Sequence, residues 1–175
     1  MNKLFIPLAM SATILGTASS CCDKQELIDK PEFHSTDGIF NIEALEALGR
    51  VSNPQVSPDG SKILYGVSYE SVEQNKSNNE LYVMDTDGSN VKRLTNTPAS
   101  EGDAVWIDGG KRVAFVAPHD GKPQMWVMNA DGSNRQVVTR MPNGVGGFLL
   151  SPDGTKVLII STVKYGRTSQ DVYPD

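Results

Sequence analysis

The sequence contains the same segment twice, 44 residues apart. Glu80-Leu81-Tyr82-Val83-Met84-Asp85-Thr86-Asp87-Gly88-Ser89-Asn90 is matched by Gln124-Met125-Trp126-Val127-Met128-Asn129-Ala130-Asp131-Gly132-Ser133-Asn134. A second pattern alternates with it: Ser57-Pro58-Asp59-Gly60-Ser61-Lys62, then Ile107-Asp108-Gly109-Gly110-Lys111-Arg112, then Ser151-Pro152-Asp153-Gly154-Thr155-Lys156. Gly88 to Gly132 and Gly110 to Gly154 are both 44 positions, and Gly60 to Gly110 is 50. The six extra residues fall between Tyr69 and Asn79, which reads as an inserted polar loop. Self-similarity at a fixed period means one structural unit repeated, each burying its apolar faces against its neighbours.

Each unit reads as four short strands. Asp59-Gly60, Asp87-Gly88, Asp131-Gly132 and Asp153-Gly154 lie between β-branched and aromatic runs such as Leu81-Tyr82-Val83-Met84 and Val113-Ala114-Phe115-Val116. Glycine admits the positive φ that a tight turn between strands requires, and Gly109-Gly110 meets the same need in the middle unit. Four strands per ~40–45 residues is the period of a propeller blade. The expected fold is all-β: a partial β-propeller of four-stranded antiparallel blades, two complete and a third incomplete. The blades are expected at about 50–95, 103–139 and 146–175. One short helix precedes them, capped by Asn41, with Glu43 in its first turn and Gly49 as its stop. Ile42, Leu45 and Leu48 mark its apolar stripe, expected to pack on the chain's own domain.

The start of the chain reads as an address. Lys3 is followed by an apolar stretch from Leu4 to Gly16 and then by Thr17-Ala18-Ser19-Ser20-Cys21-Cys22. Thirteen residues are too few to span a bilayer as a helix, and the order of charge, apolar run and small residues is that of a secretory signal. Residues 1–20 are expected to be a signal peptide of lipoprotein type. The run into cysteine resembles a bacterial lipobox, with Ala18 where that pattern carries Leu. It implies lipidation at Cys21 and an exported protein, periplasmic or anchored in the outer membrane of a Gram-negative bacterium. Residues 21–38 read as a polar tether. Cys21 and Cys22 are the only cysteines and are adjacent, so no disulfide can link distant parts of the fold.

The S-P-D-G-x-K turn and the Y-V-M-D-x-D-G-S-N segment ending in Leu94-Thr95 resemble the blade repeat of TolB-type propellers over residues 39–175. That repeat also builds the N-terminal propeller of the prolyl oligopeptidase family of serine peptidases. The helix running into Arg50-Val51-Ser52-Asn53-Pro54 resembles the start of secreted bacterial members, and the tail Val163 to Asp175 resembles their third-blade region. The resemblance implies a propeller that admits peptides to a following hydrolase domain, in the dipeptidyl-peptidase or acylaminoacyl-peptidase branch. A non-catalytic TolB-like propeller that binds proteins in the periplasm is the alternative.

The catalytic groups of that family are absent from these residues. A Ser on a G-x-S-x-G elbow is required, followed by Asp and His; the sequence has no such motif. His34 lies in the tether and His119 in the turn Pro118-His119-Asp120-Gly121. No catalytic residue is assigned, and the chain alone is expected to be inactive. The Asp85 and Asn129 loops look like calcium loops, yet Leu94 and Val138 stand where the chelating Glu is needed. Gly144-Val145-Gly146-Gly147 and Gly110-Lys111-Arg112 lack the elements of a phosphate loop. No metal and no cofactor are expected. Trp106, Trp126, Tyr82 and Phe115 recur at repeat positions and are expected to pack between sheets. Sixteen Lys and Arg against 21 Asp and Glu give a net charge of −5, which argues against a nucleic-acid partner.

The length sharpens the expectation. Beyond residues 1–20, 155 of the 175 residues remain, room for about 3.5 repeats before the tether and helix are subtracted. Propellers close with at least four blades. The chain is therefore expected to be the N-terminal piece of a longer protein, completed by further blades and the hydrolase domain.

Overall fold

A computed structural model describes residues 27–32, 38 and 40–162. The expected signal peptide, Cys21, Cys22, His34 and the tail 163–175 lie outside the described residues.

Helix α1 (Ile42–Glu46) begins where the Asn41 side chain accepts the Ala44 N–H at 2.9 Å. Its buried residue is Ala44, whereas Ile42, Leu45 and Leu48 stay 62%, 48% and 54% exposed. The apolar stripe thus does not make the contact expected of it. A helix of little more than one turn buries only a single small residue. Gly49 also differs from expectation, since it is absent from the positive-φ residues. A Cβ there would lie 2.8 Å from Val67 Cγ1, so this glycine lets the chain pass close to the sheet.

Ten strands follow. The first sheet has the order β1 (Arg50–Val56), β2 (Lys62–Ser71), β3 (Lys76–Asp85), β4 (Lys92–Arg93). The second repeats it with β5 (Gly102–Ile107), β6 (Arg112–His119), β7 (Lys122–Asn129) and β8 (Gln136–Val137). The third contains β9 (Gly147–Leu150) and β10 (Val157–Ile160). All pairings are antiparallel, and the sequence repeat is also a repeat in register: Tyr65 pairs with Tyr82, and Phe115 with Trp126. Two complete four-stranded sheets and a partial third match the expected fold.

The six-residue insertion takes a different form from the polar loop expected. Pairing of β2 with β3 continues to Ser71 opposite Lys76, so most of the extra residues lengthen both strands. The ladder satisfies their backbone groups and leaves the Lys76 and Ser77 side chains exposed, whereas Asn78 at its inner end is buried.

The sheets stack through alternating side chains. Leu64 and Leu81 of the first sheet pack with Ala104, Val113, Phe115, Ala117 and Met128 of the second. From the opposite face of the second sheet, Ala114 and Met125 pack with Phe148 of the third. The middle sheet is therefore apolar on both faces, as a blade between two blades must be. Phe115 is completely buried, which contributes about 1.5–3 kcal/mol on apolar area alone.

The turns use glycine as expected. Gly60, Gly88, Gly132 and Gly154 have φ of 75°, 86°, 85° and 67°. At Gly132 a Cβ would lie 2.9 Å from Leu94 O, so this turn also needs the close approach of the neighbouring sheet. In the S-P-D-G turns the aspartate organises the loop. Asp59 accepts from Ser57 Oγ at 2.6 Å, Ser61 N at 3.1 Å and Ser61 Oγ at 2.9 Å. Asp153 repeats this with Ser151 and Thr155. Those bonds, with the serine hydroxyl foremost, hold both carboxyls down at about 2.

Candidate functional site

Three equivalent turns, around Pro58, Asp108-Gly109 and Ser151-Pro152, converge on a cleft of about 510 Å³ with Trp106 and Leu150 in its walls. Trp106 is fixed there by donating from Nε1 to Gln55 O at 3.2 Å, across to the first sheet. Arg112 in the same cleft is tied to Asp108. The cleft is concave, mixed in polarity and built by the repeat itself.

The residues weighed from sequence fall as follows. His119, expected in the turn, is instead the last residue of β6, paired with Lys122, with Nε2 3.4 Å from Asp120 Oδ2 and its ring edge-on to Trp126 at 5.5 Å. Asp87 Oδ1 accepts from Ser89 N at 2.8 Å and Ser89 Oγ at 2.6 Å, and Asp131 does the same with Ser133. Both carboxyls lie below the usual range because of these serine bonds. Their oxygens organise their own hairpin turns. Trp106 and Trp126 pack against the core that contains Phe115, and Tyr82 stacks on Tyr65 at 5.7 Å.

The sequence reading missed a buried ionic cluster. Glu80 and Glu101 are 2% and 1% exposed. Glu80 accepts from Thr95 Oγ1 at 2.6 Å, Asn78 Nδ2 at 2.9 Å and Thr97 N at 3.0 Å, and pairs with Arg93 at 3.0 Å. Arg93 is also tied to Asp29. Glu101 Oε1 accepts from Thr97 Oγ1 at 2.8 Å and Arg135 Nη2 at 3.0 Å. The Arg135 guanidinium lies over Trp126 at 4.7 Å and Phe115 at 5.0 Å. Burial, reinforced by the Glu80 charge, pushes Glu101 up to about 7 against the opposing pull of Thr97 and Arg135.

A signal for this cluster existed in the repeat. Gln124 stands 44 residues after Glu80, Val137 after Arg93, and Val145 after Glu101. The second sheet holds the same junction with neutral groups: Gln124 Oε1 accepts from Thr139 Oγ1 at 2.8 Å and Met141 N at 2.9 Å. Its amide then donates to Met141 O at 2.9 Å, a bond that a glutamate cannot make. In the first sheet Asn78 Nδ2 donates to Thr97 O instead, at 2.7 Å.

Comparison with known proteins agrees with this geometry. The chain is 41% identical over all 175 residues to Dipeptidyl-peptidase 5 of Porphyromonas gingivalis, of which it spans 24%. Among solved structures it resembles an acylaminoacyl peptidase in complex with Z-Gly-Gly-Phe-chloromethyl ketone, with a TM-score of 0.57 at 18% identity. That match covers 75% of this chain and 20% of the other. TolB from Acinetobacter baumannii matches with a TM-score of 0.51 at 21% identity, over 65% of this chain and 27% of TolB. Residues 41–172 match the TolB beta propeller domain, and with its sheets stacked on the same repeat the chain belongs to that family.

Proposed function

We propose that this chain is the propeller portion of an exported serine exopeptidase of the prolyl oligopeptidase family, releasing short fragments from peptide N-termini. In this reading the propeller admits peptides to a hydrolase domain outside these residues and excludes folded proteins. The observation that carries it is the 41% identity to Dipeptidyl-peptidase 5 across the entire chain. The test uses the gene product translated to its own stop codon. It should release dipeptides from short peptides and leave a folded protein of the same sequence content intact. Removal of residues 41–172 should abolish that discrimination. Equal cleavage of peptide and folded protein by the intact product would contradict the gating role.

Cys21 is proposed as the lipid anchor. One thioether-linked lipid and one amide-linked acyl chain on a terminal cysteine supply the two signals that stable membrane attachment needs. Cys21→Ser should then move the protein from the membrane to the soluble fraction, and an unchanged membrane fraction would refute the anchor. The likeness to TolB supports a second reading, a non-catalytic propeller that binds periplasmic proteins. It is distinguished by the lack of any peptidase activity in the same product.

A further inference from the structure

Glu101 sits where the chain passes from the first sheet to the second. Its N–H donates to Asn79 O at 2.8 Å, and its carbonyl accepts from the Asn79 side chain. The next junction is built alike: Val145 N donates to Pro123 O at 2.7 Å. Val145 is 1% exposed, so the fold makes this junction with an apolar residue. The carboxylate at 101 is therefore no requirement of the architecture.

Three observations set Glu101 apart. Its Oε2 is buried with no hydrogen-bond partner, as is the nearby Asn78 Oδ1, and both residues bond Thr97. Its cation, Arg135, comes from the turn before β8 and lies over Phe115 and Trp126, both on the face packed against the first sheet. The residue equivalent to Arg135 in the first repeat is Val91, which is 59% exposed. The pair thus exists at one junction only among the described repeats.

We propose that Glu101 is a proton-operated clasp at the junction of the first and second blades, closed when Glu101 is neutral and loosened when it ionises, with Arg135 limiting the loosening by pairing with the carboxylate. The charged groups around Glu101 are Arg135 from the second sheet, Glu80 on β3, Arg93 on β4 and, through Arg93, Asp29 of the N-terminal segment. Glu80 and the desolvation of the site favour the neutral carboxyl, and Arg135 favours the ionised one. The native carboxyl titrates near 7, against the ordinary 4.5 of a solvated glutamate. A raised value means the stabilisation is complete below pH 4.5 and is lost as pH rises through 7. Above that range the carboxylate stays buried, one oxygen bonded by Thr97 and Arg135 and the other by nothing. Opening the junction then hydrates it.

The test is amide hydrogen exchange in the intact protein, followed on peptides spanning 98–107 and corrected for the intrinsic pH dependence of exchange. Between pH 5 and pH 8 protection in the wild type should fall at least about tenfold, the change expected for one pH unit between the native and opened carboxyl. Glu101→Gln should hold its protection within about twofold over the same range. Glu101→Val, which copies the junction at Val145, should do likewise and serves if the glutamine variant misfolds. Arg135→Gln should enlarge the loss, because the ionised carboxylate then has no cation. Equal pH dependence in the wild type and both Glu101 variants would overturn the clasp. An Arg135→Gln profile identical to the wild type would overturn the role given to Arg135.

Discussion

Phe115→Ala is expected to destabilise the chain by about 3–5 kcal/mol, the range for truncating a wholly buried aromatic residue in a core that cannot collapse around the gap. Phe115 has no exposed surface and contributes from β6 to the cluster that joins the first two sheets. It also lies beneath the Arg135 guanidinium, so its loss removes a ring face as well as volume. Urea unfolding followed by tryptophan fluorescence reads the effect directly, because Trp106 and Trp126 both pack against this cluster. Val138→Ala is the control: Val138 is 57% exposed and should move the midpoint by less than about 0.5 kcal/mol. Equal effects from the two substitutions would mean that the sheets do not share this core.

Arg93→Val is expected to cost a similar amount, about 3–5 kcal/mol, because it leaves Glu80 buried without its cation. The repeat supplies the rescue. Where the first sheet has Glu80 and Arg93, the second has Gln124 and Val137. The double variant Glu80→Gln with Arg93→Val should therefore return to within about 1–2 kcal/mol of the wild type in the same unfolding experiment. The gap that remains reflects the lost tie between Arg93 and Asp29. A double variant as unstable as Arg93→Val alone would show that the ion pair does not replace the neutral junction.

These two positions mark what the sequence made legible. The repeat and its four strands followed from spacing alone, and the structure adds the register, in which Tyr65 pairs with Tyr82 as Phe115 pairs with Trp126. The turns followed from glycine, whose positive φ few other residues adopt. Burial of charge was harder to read. Glu80 finds Arg93 thirteen residues on, and Glu101 finds Arg135 across 34. A charged residue in sequence reads as a solvated face unless its partner's place in space is known. The difference between Glu80 and Gln124 was visible, but its meaning required the hydrogen bonds. The helix stripe misled for a related reason. Ile42, Leu45 and Leu48 share a face, yet the residue the helix buries is Ala44. The insertion read as a loop because its residues are polar, although polar residues extend an exposed hairpin equally well.

The reading of this chain as the propeller of an exopeptidase meets its most direct test in covalent labelling. The gene product, translated to its own stop codon, is treated with a fluorophosphonate, and the labelled peptide is identified while dipeptidyl-nitroanilide turnover is followed. The account predicts one labelled serine, within a G-x-S-x-G sequence outside residues 1–175, and turnover that disappears as labelling completes. A product that is neither labelled nor active, or one labelled at a serine within residues 41–172, would contradict it.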